Sequence, residues 1–186
     1  VFNGDAIKNV NLFKGNMPAQ YGGRLSSVLD ISTKDGNNQN FEVSGGIGVI
    51  ASRLTIQGPI IKNKCSFIVS ARRTYVDVVA KPWIEKSDFK GTSYFFYDLN
   101  GKINYIVNDK NRLYLSGYFG RDKFVYSDNE SGFSTKIPWG NASACLRWNH
   151  IYNNKLFSNV SAVFTNYDFS FGGKQQDFEA IVQSGI

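Results

Sequence analysis

Asp128, Asn129 and Glu130 stand side by side, and a run of carboxylate and amide oxygens is the donor set that calcium takes. The run lacks the ligand spacing of a dedicated calcium loop, so a solvated acidic turn accounts for it and no metal is assigned. His150 is the single histidine. No serine motif surrounds it, and nucleophilic catalysis needs a nucleophile with a partnered base, so the chain is read as a non-enzyme without a cofactor. Cys65 and Cys145 are the two cysteines, and with one histidine they form no zinc pattern.

Recognition chemistry is better represented. The segment from Tyr75 to Gly91 carries Trp83 between Lys81-Pro82 and Ile84-Glu85, and the segment from Val125 to Pro138 carries Tyr126, Asp128, Glu130 and Phe133. Both read as long loops. Aromatic and charged loop tips suit a sugar, a siderophore or a peptide equally.

The elements that must hold these loops are strands. Between Tyr94 and Val107, Phe95, Tyr97, Leu99, Ile103, Tyr105 and Val107 fall on one register and Asp98, Asn100, Lys102 and Asn104 on the other. Successive side chains of a strand point to opposite faces, so this segment has one apolar face and one bearing charges and amides. Leu113, Leu115, Gly117 and Phe119 oppose Tyr114, Ser116, Tyr118 and Asp122, and Ala142, Ala144, Leu146 and Trp148 oppose Asn141, Ser143, Arg147 and Asn149. A last run sets Val160, Ala162 and Phe164 against Asn159, Ser161 and Thr165, with Val163 out of pattern. By the same parity Cys65 and Cys145 point to opposite faces, which predicts no disulfide.

Antiparallel sheets of soluble proteins alternate in the same way. These runs, however, exceed the roughly five or six residues of ordinary strands and match the roughly nine to eleven that cross a bilayer. Short links near Ile61–Lys64, Asn108–Asn111 and Tyr152–Asn154 alternate with the two long ones, and aromatic residues gather near the strand ends. That is the outer-membrane barrel pattern. Mean hydropathy is −0.28, as expected where half of each strand faces a polar interior. The 21 basic and 15 acidic residues, net +6, form no basic stripe, which argues against a nucleic-acid partner. The chain begins at Val1 without a leader and stops inside an apparent strand. It is therefore expected to be a piece of a larger barrel, since an open edge is costly in lipid.

The most specific motif precedes these strands: Lys14-Gly15, then Pro18-Ala19-Gln20-Tyr21-Gly22-Gly23-Arg24, then Val28-Leu29-Asp30-Ile31-Ser32-Thr33-Lys34. Paired glycines at 22 and 23 permit positive φ or close backbone approach, and Tyr21 can pack where the chain doubles back. The order resembles the end of the plug domain of TonB-dependent outer-membrane receptors, where a strand ending in Lys-Gly leads to a Tyr-Gly turn and a last plug strand ending in Thr-Lys. Arg72–Asp77, Phe96–Tyr105 and Tyr118–Phe124 resemble the early barrel of the same receptors. The chain departs from the starch-utilisation SusC-type branch, in which an alanine-rich stretch precedes Tyr-Gly and Asn-Gly follows it. A surface lipoprotein partner, typical of that branch, stays open here.

The resemblance implies an all-β fold: residues 1–36 as the C-terminal part of a plug domain and residues 37–186 as about eight strands of a transmembrane antiparallel β-barrel of about 22. It implies active import of a nutrient across the outer membrane of a Gram-negative bacterium, powered by a TonB-type energy-coupling protein acting through an upstream segment. The alternative is a receptor-like barrel that binds or scaffolds without transport. It also marks Lys14, Gly15, Tyr21, Gly22, Gly23 and Arg24 as plug motif. Arg24 would lock the plug, and Arg53, Asp98, Asn100, Lys102 and Asn104 would face it across the lumen.

Overall fold

The computed structural model describes residues 3–15, 18–22, 26–87, 90–128, 132–175 and 178–185. They build two antiparallel sheets. The smaller pairs β1 (Ile7–Lys14) with β2 (Ser27–Thr33). The larger contains β3 (Glu42–Ile47), β4 (Ala51–Ile61), β5 (Cys65–Thr74), β6 (Ser93–Asn108), β7 (Asn111–Asp128), β8 (Phe133–Asn153), β9 (Leu156–Gln175) and β10 (Phe178–Gly185). Each strand pairs with its sequence neighbours, which gives an eight-stranded meander with β3 and β10 at its edges. Among the described residues the sheet is open and closes into no barrel.

Strands β6 to β9 are 16, 18, 21 and 20 residues long, several times the roughly five or six of an ordinary strand. The short turns repeat one device. Asn108 Oδ1 accepts from Lys110 N at 3.0 Å, and Asn153 Oδ1 accepts from Lys155 N at 2.9 Å and Leu156 N at 3.0 Å. An asparagine that bonds its own backbone two residues on closes a tight turn without a helix.

The two long connections differ from expectation. Tyr75–Gly91 contains two single-turn helices, α1 (Val76–Val79) and α2 (Lys81–Ile84). Val125–Pro138 is mostly paired strand, with Val125↔Lys136, Tyr126↔Thr135, Ser127↔Ser134 and Asp128↔Phe133 in register. Tyr126, Asp128 and Phe133 therefore stand in paired strands and not on a loop. Pro138 reads as a strand breaker. It is tolerated because the β8–β9 pairing is interrupted between Lys136↔Gly172 and Trp139↔Phe169, where its missing N–H is not required.

Burial is inverted relative to a globular core. Thr55, Ser66, Ser70, Thr74, Asp98, Asn100 and Thr135 are buried, whereas among the described residues Ala6, Pro59, Cys65 and Ile68 are the apolar ones buried to the same degree. On the other face Leu99, Leu115 and Phe164 are 46%, 49% and 63% exposed. The residues predicted to be apolar-facing share the outward face; of the polar set, Asp98 and Asn100 are buried, whereas Arg53, Asn141, Arg147, Asn159, Ser161 and Thr165 stay exposed on the opposite face.

Candidate functional site

Register carries the polar face across the sheet without a break. Thr55, Ser70, Asn100, Tyr118, Ser143 and Thr165 form one row, and Arg53, Arg72, Asp98, Gly120, Asn141 and Tyr167 form the row beside it. Val163, out of pattern in the sequence, pairs with Cys145 and is an apolar member of this inner face. Cys65 and Cys145 are free thiols on strands separated by β6 and β7.

The β1–β2 hairpin sits against this face. Lys102 Nζ lies 2.7 Å from Asp35 Oδ1 and donates to the Thr33 carbonyl at 3.2 Å. Arg53 Nε lies 3.2 Å from Asp5 Oδ2, and Ser66 Oγ donates to the Asp35 carbonyl at 2.8 Å. The approach is close at Gly36, whose φ is +81° and where a Cβ would fall 2.4 Å from the Phe67 carbonyl oxygen. Only glycine fits there. Between hairpin and wall remains a cleft of about 500 Å³, lined by Asp30, Thr33, Lys102, Tyr114, Ser143 and Arg147 among others. The seat is under-bonded: Thr55 Oγ1, Ser70 Oγ, Asn104 Oδ1 and Asn149 Oδ1 are buried with no hydrogen-bond partner among the described residues.

Beyond the hairpin, toward the long connections, the inner face turns aromatic. Arg72 donates to Asp98 Oδ2 from Nε at 2.8 Å and from Nη2 at 2.6 Å, and its guanidinium lies 4.8 Å from the Phe96 ring centre. Tyr94 packs against Phe96 at 6.0 Å and Phe124 at 6.5 Å, and its hydroxyl donates to Asp122 at 3.2 Å. Trp139 pairs with Asp122 across the strands, and Tyr126 meets Phe133 at 6.4 Å. Rings flanked by carboxylates make a surface for stacking and hydrogen bonding, which is binding chemistry. Among the described residues no three His, Cys, Asp or Glu side chains gather to hold a metal ion.

The expected site residues divide as follows. Arg53, Asp98, Asn100, Lys102 and Asn104 share the inner face, and Arg53 and Lys102 meet the hairpin. Asp98 serves instead as the partner of Arg72. Lys14 ends β1, and Gly15 follows with φ +84°. Tyr21 packs on Phe13 at 5.6 Å, where the chain begins its return. Gly22 has φ −55°, and Gly15 is the glycine of this segment with positive φ among the described residues. Gly23, Arg24 and Glu130 lie outside the described residues. Trp83 is exposed in α2, on the other connection from Tyr126, Asp128 and Phe133.

His150 lies on the outward face, its Nδ1 2.7 Å from Asn111 Oδ1, which also accepts from Trp148 Nε1 at 3.0 Å. Tyr152 packs edge-on against its ring at 4.3 Å. Sequence reading did not find Arg72, Asp5, Asp35, Tyr94 or Asp122 as site residues. The signal present was parity, which puts Arg72, Tyr94 and Asp122 on the polar face; the partner of each needs the strand register. No protein-family model matches the chain, and neither a curated protein nor a solved structure does.

Proposed function

We propose that this chain is the plug-and-wall portion of a TonB-dependent outer-membrane receptor that imports a nutrient. The β1–β2 hairpin is the end of the plug, the eight-stranded sheet is part of the barrel wall, and the remaining strands pair onto β3 and β10. The aromatic and carboxylate patch around Tyr94, Asp122 and Trp139 receives ligand above the plug. An energy-coupling protein pulls on the plug through an upstream segment, and outer-membrane lipids cover the outward face. A surface lipoprotein is a further candidate partner at the long connections.

The single observation that carries this reading is the inversion of polarity, with a charged hairpin held on the polar side and bare apolar side chains on the other. In water such a sheet would leave a very large apolar area uncovered. In a bilayer each face meets its own solvent. From Phe95 to Val107 the outward residues of β6 run about 40 Å along the strand. At a tilt of about 40° that is about 30 Å of height, enough to cover an apolar band about 25 Å tall.

The test uses cells that produce the complete protein, fractionated and then offered labelled siderophores, oligosaccharides, peptides and vitamins with and without a protonophore. Energy-dependent accumulation of one compound supports import. Assembly in the outer membrane without accumulation of any favours a scaffold. Recovery in the soluble fraction overturns both.

A further inference from the structure

Near its upper end, on the side of the long connections, the outward apolar face carries a small cluster of cations. Register places Arg73 and Arg121 on either side of Tyr97, and Lys123 two residues beyond Arg121 opposite Phe95. The Arg73 guanidinium leans to within 5.9 Å of the Phe95 ring centre, so that ring is bracketed by Arg73 and Lys123. All three cations are exposed. Their acidic neighbours neutralise them weakly, Asp77 at 3.9 Å from Arg73 and Asp168 at 3.5 Å from Arg121. Lys123 has no carboxylate within salt-bridge distance among the described residues.

Directly below, the same face is hollow. Gly45, Leu54, Ala71, Leu99 and Phe119 occupy one register row, and Gly45 and Ala71 leave depth on both sides of Leu54. Tyr97, Leu99 and Phe119 wall the hollow and Arg73 rims it. An apolar hollow with a cationic rim complements one kind of molecule, an amphiphile with an acyl chain and an anionic head.

We propose that this surface is a binding site for a phosphate-bearing lipid, its acyl chain laid in the hollow and its phosphate held by Arg73, Arg121 and Lys123. The inference rests on the reading of this face as membrane-facing. Guanidinium groups match phosphate oxygens in a two-pronged geometry and an ammonium adds a point charge. Each basic residue beside an anionic lipid surface contributes about a fivefold preference. The hollow distinguishes a lipid from free phosphate, which has nothing to place there.

The complete protein, reconstituted in phosphatidylcholine nanodiscs, is titrated with bisphosphorylated lipid A or with the same glycolipid stripped of phosphate, and retained lipid is counted by native mass spectrometry. The phosphorylated form should be retained preferentially, and Arg121→Gln with Lys123→Gln should lower that retention about 25-fold. Ala71→Trp, which fills the hollow and keeps every charge, should also lower it. Inorganic phosphate at equal concentration should not compete, and full competition by it would overturn the lipid assignment. Equal retention by wild type and the charge variant overturns the site while leaving the membrane reading intact. A protein that stays soluble and never enters the nanodiscs overturns the membrane reading itself.

Discussion

Lys102, midway along β6, holds Asp35 at 2.7 Å just past the end of β2, and so fastens the hairpin to the wall. The pair is partly shielded, with side chains 16% and 38% exposed. Lys102→Met should loosen the hairpin by about 1–2 kcal/mol. Hydrogen exchange of the β1 and β2 amides should quicken while that of β7 and β8 stays unchanged. Exchanging the charges, Lys102→Asp with Asp35→Lys, should recover part of the protection, and no recovery would mean that the ion pair is not the fastening.

Arg72 and Asp98 form a more buried pair, 17% and 2% exposed. Arg72→Met leaves the Asp98 carboxylate unpaired, which should cost about 3–5 kcal/mol. Arg72→Met with Asp98→Leu should cost much less, because both charges are gone. Denaturant unfolding in detergent compares the two, and equal losses would contradict the pairing.

Gly36 and Gly15 separate two effects of an added methyl group. Both have positive φ, +81° and +84°, but only Gly36 has a carbonyl oxygen in the way. Gly15→Ala should cost about 1 kcal/mol from the backbone alone. Gly36→Ala adds the clash with Phe67 and should release the hairpin, seen as protease cleavage between β2 and β3.

Leu115 and Ser116 are neighbours on opposite faces of β7. Leu115→Arg should cost about 2–4 kcal/mol if its face meets lipid at mid-depth, while Ser116→Arg on the inner face should be milder. Heat-modifiable migration after membrane assembly measures both. Equal tolerance would remove the lipid from the outward face.

The face assignment was legible in the sequence because strand geometry is periodic: once Leu99 is outward, Asp98 and Asn100 are inward, and the exposures follow. The turns at Asn108 and Asn153 were legible for a similar local reason. What parity cannot supply is which residues stand beside one another. Arg72 meets Asp98, Lys102 meets Asp35 and Arg53 meets Asp5 across gaps in the chain that depend on register, so these pairs were invisible. The segment from Val125 to Pro138 was misread because Ser127, Asp128 and Pro138 look like loop residues; cross-strand pairing overrides that local preference.

Thr55, Ser70, Asn104 and Asn149 each carry a buried side-chain oxygen on the inner face that has no protein partner among the described residues. A buried polar atom left without any partner costs about 1–3 kcal/mol. Wherever moving the hairpin exposes such an atom to solvent, hydration gained there counters the ion pairs lost at Asp35 and Asp5. If the hairpin is the plug end proposed above, this balance sets how easily it is drawn away.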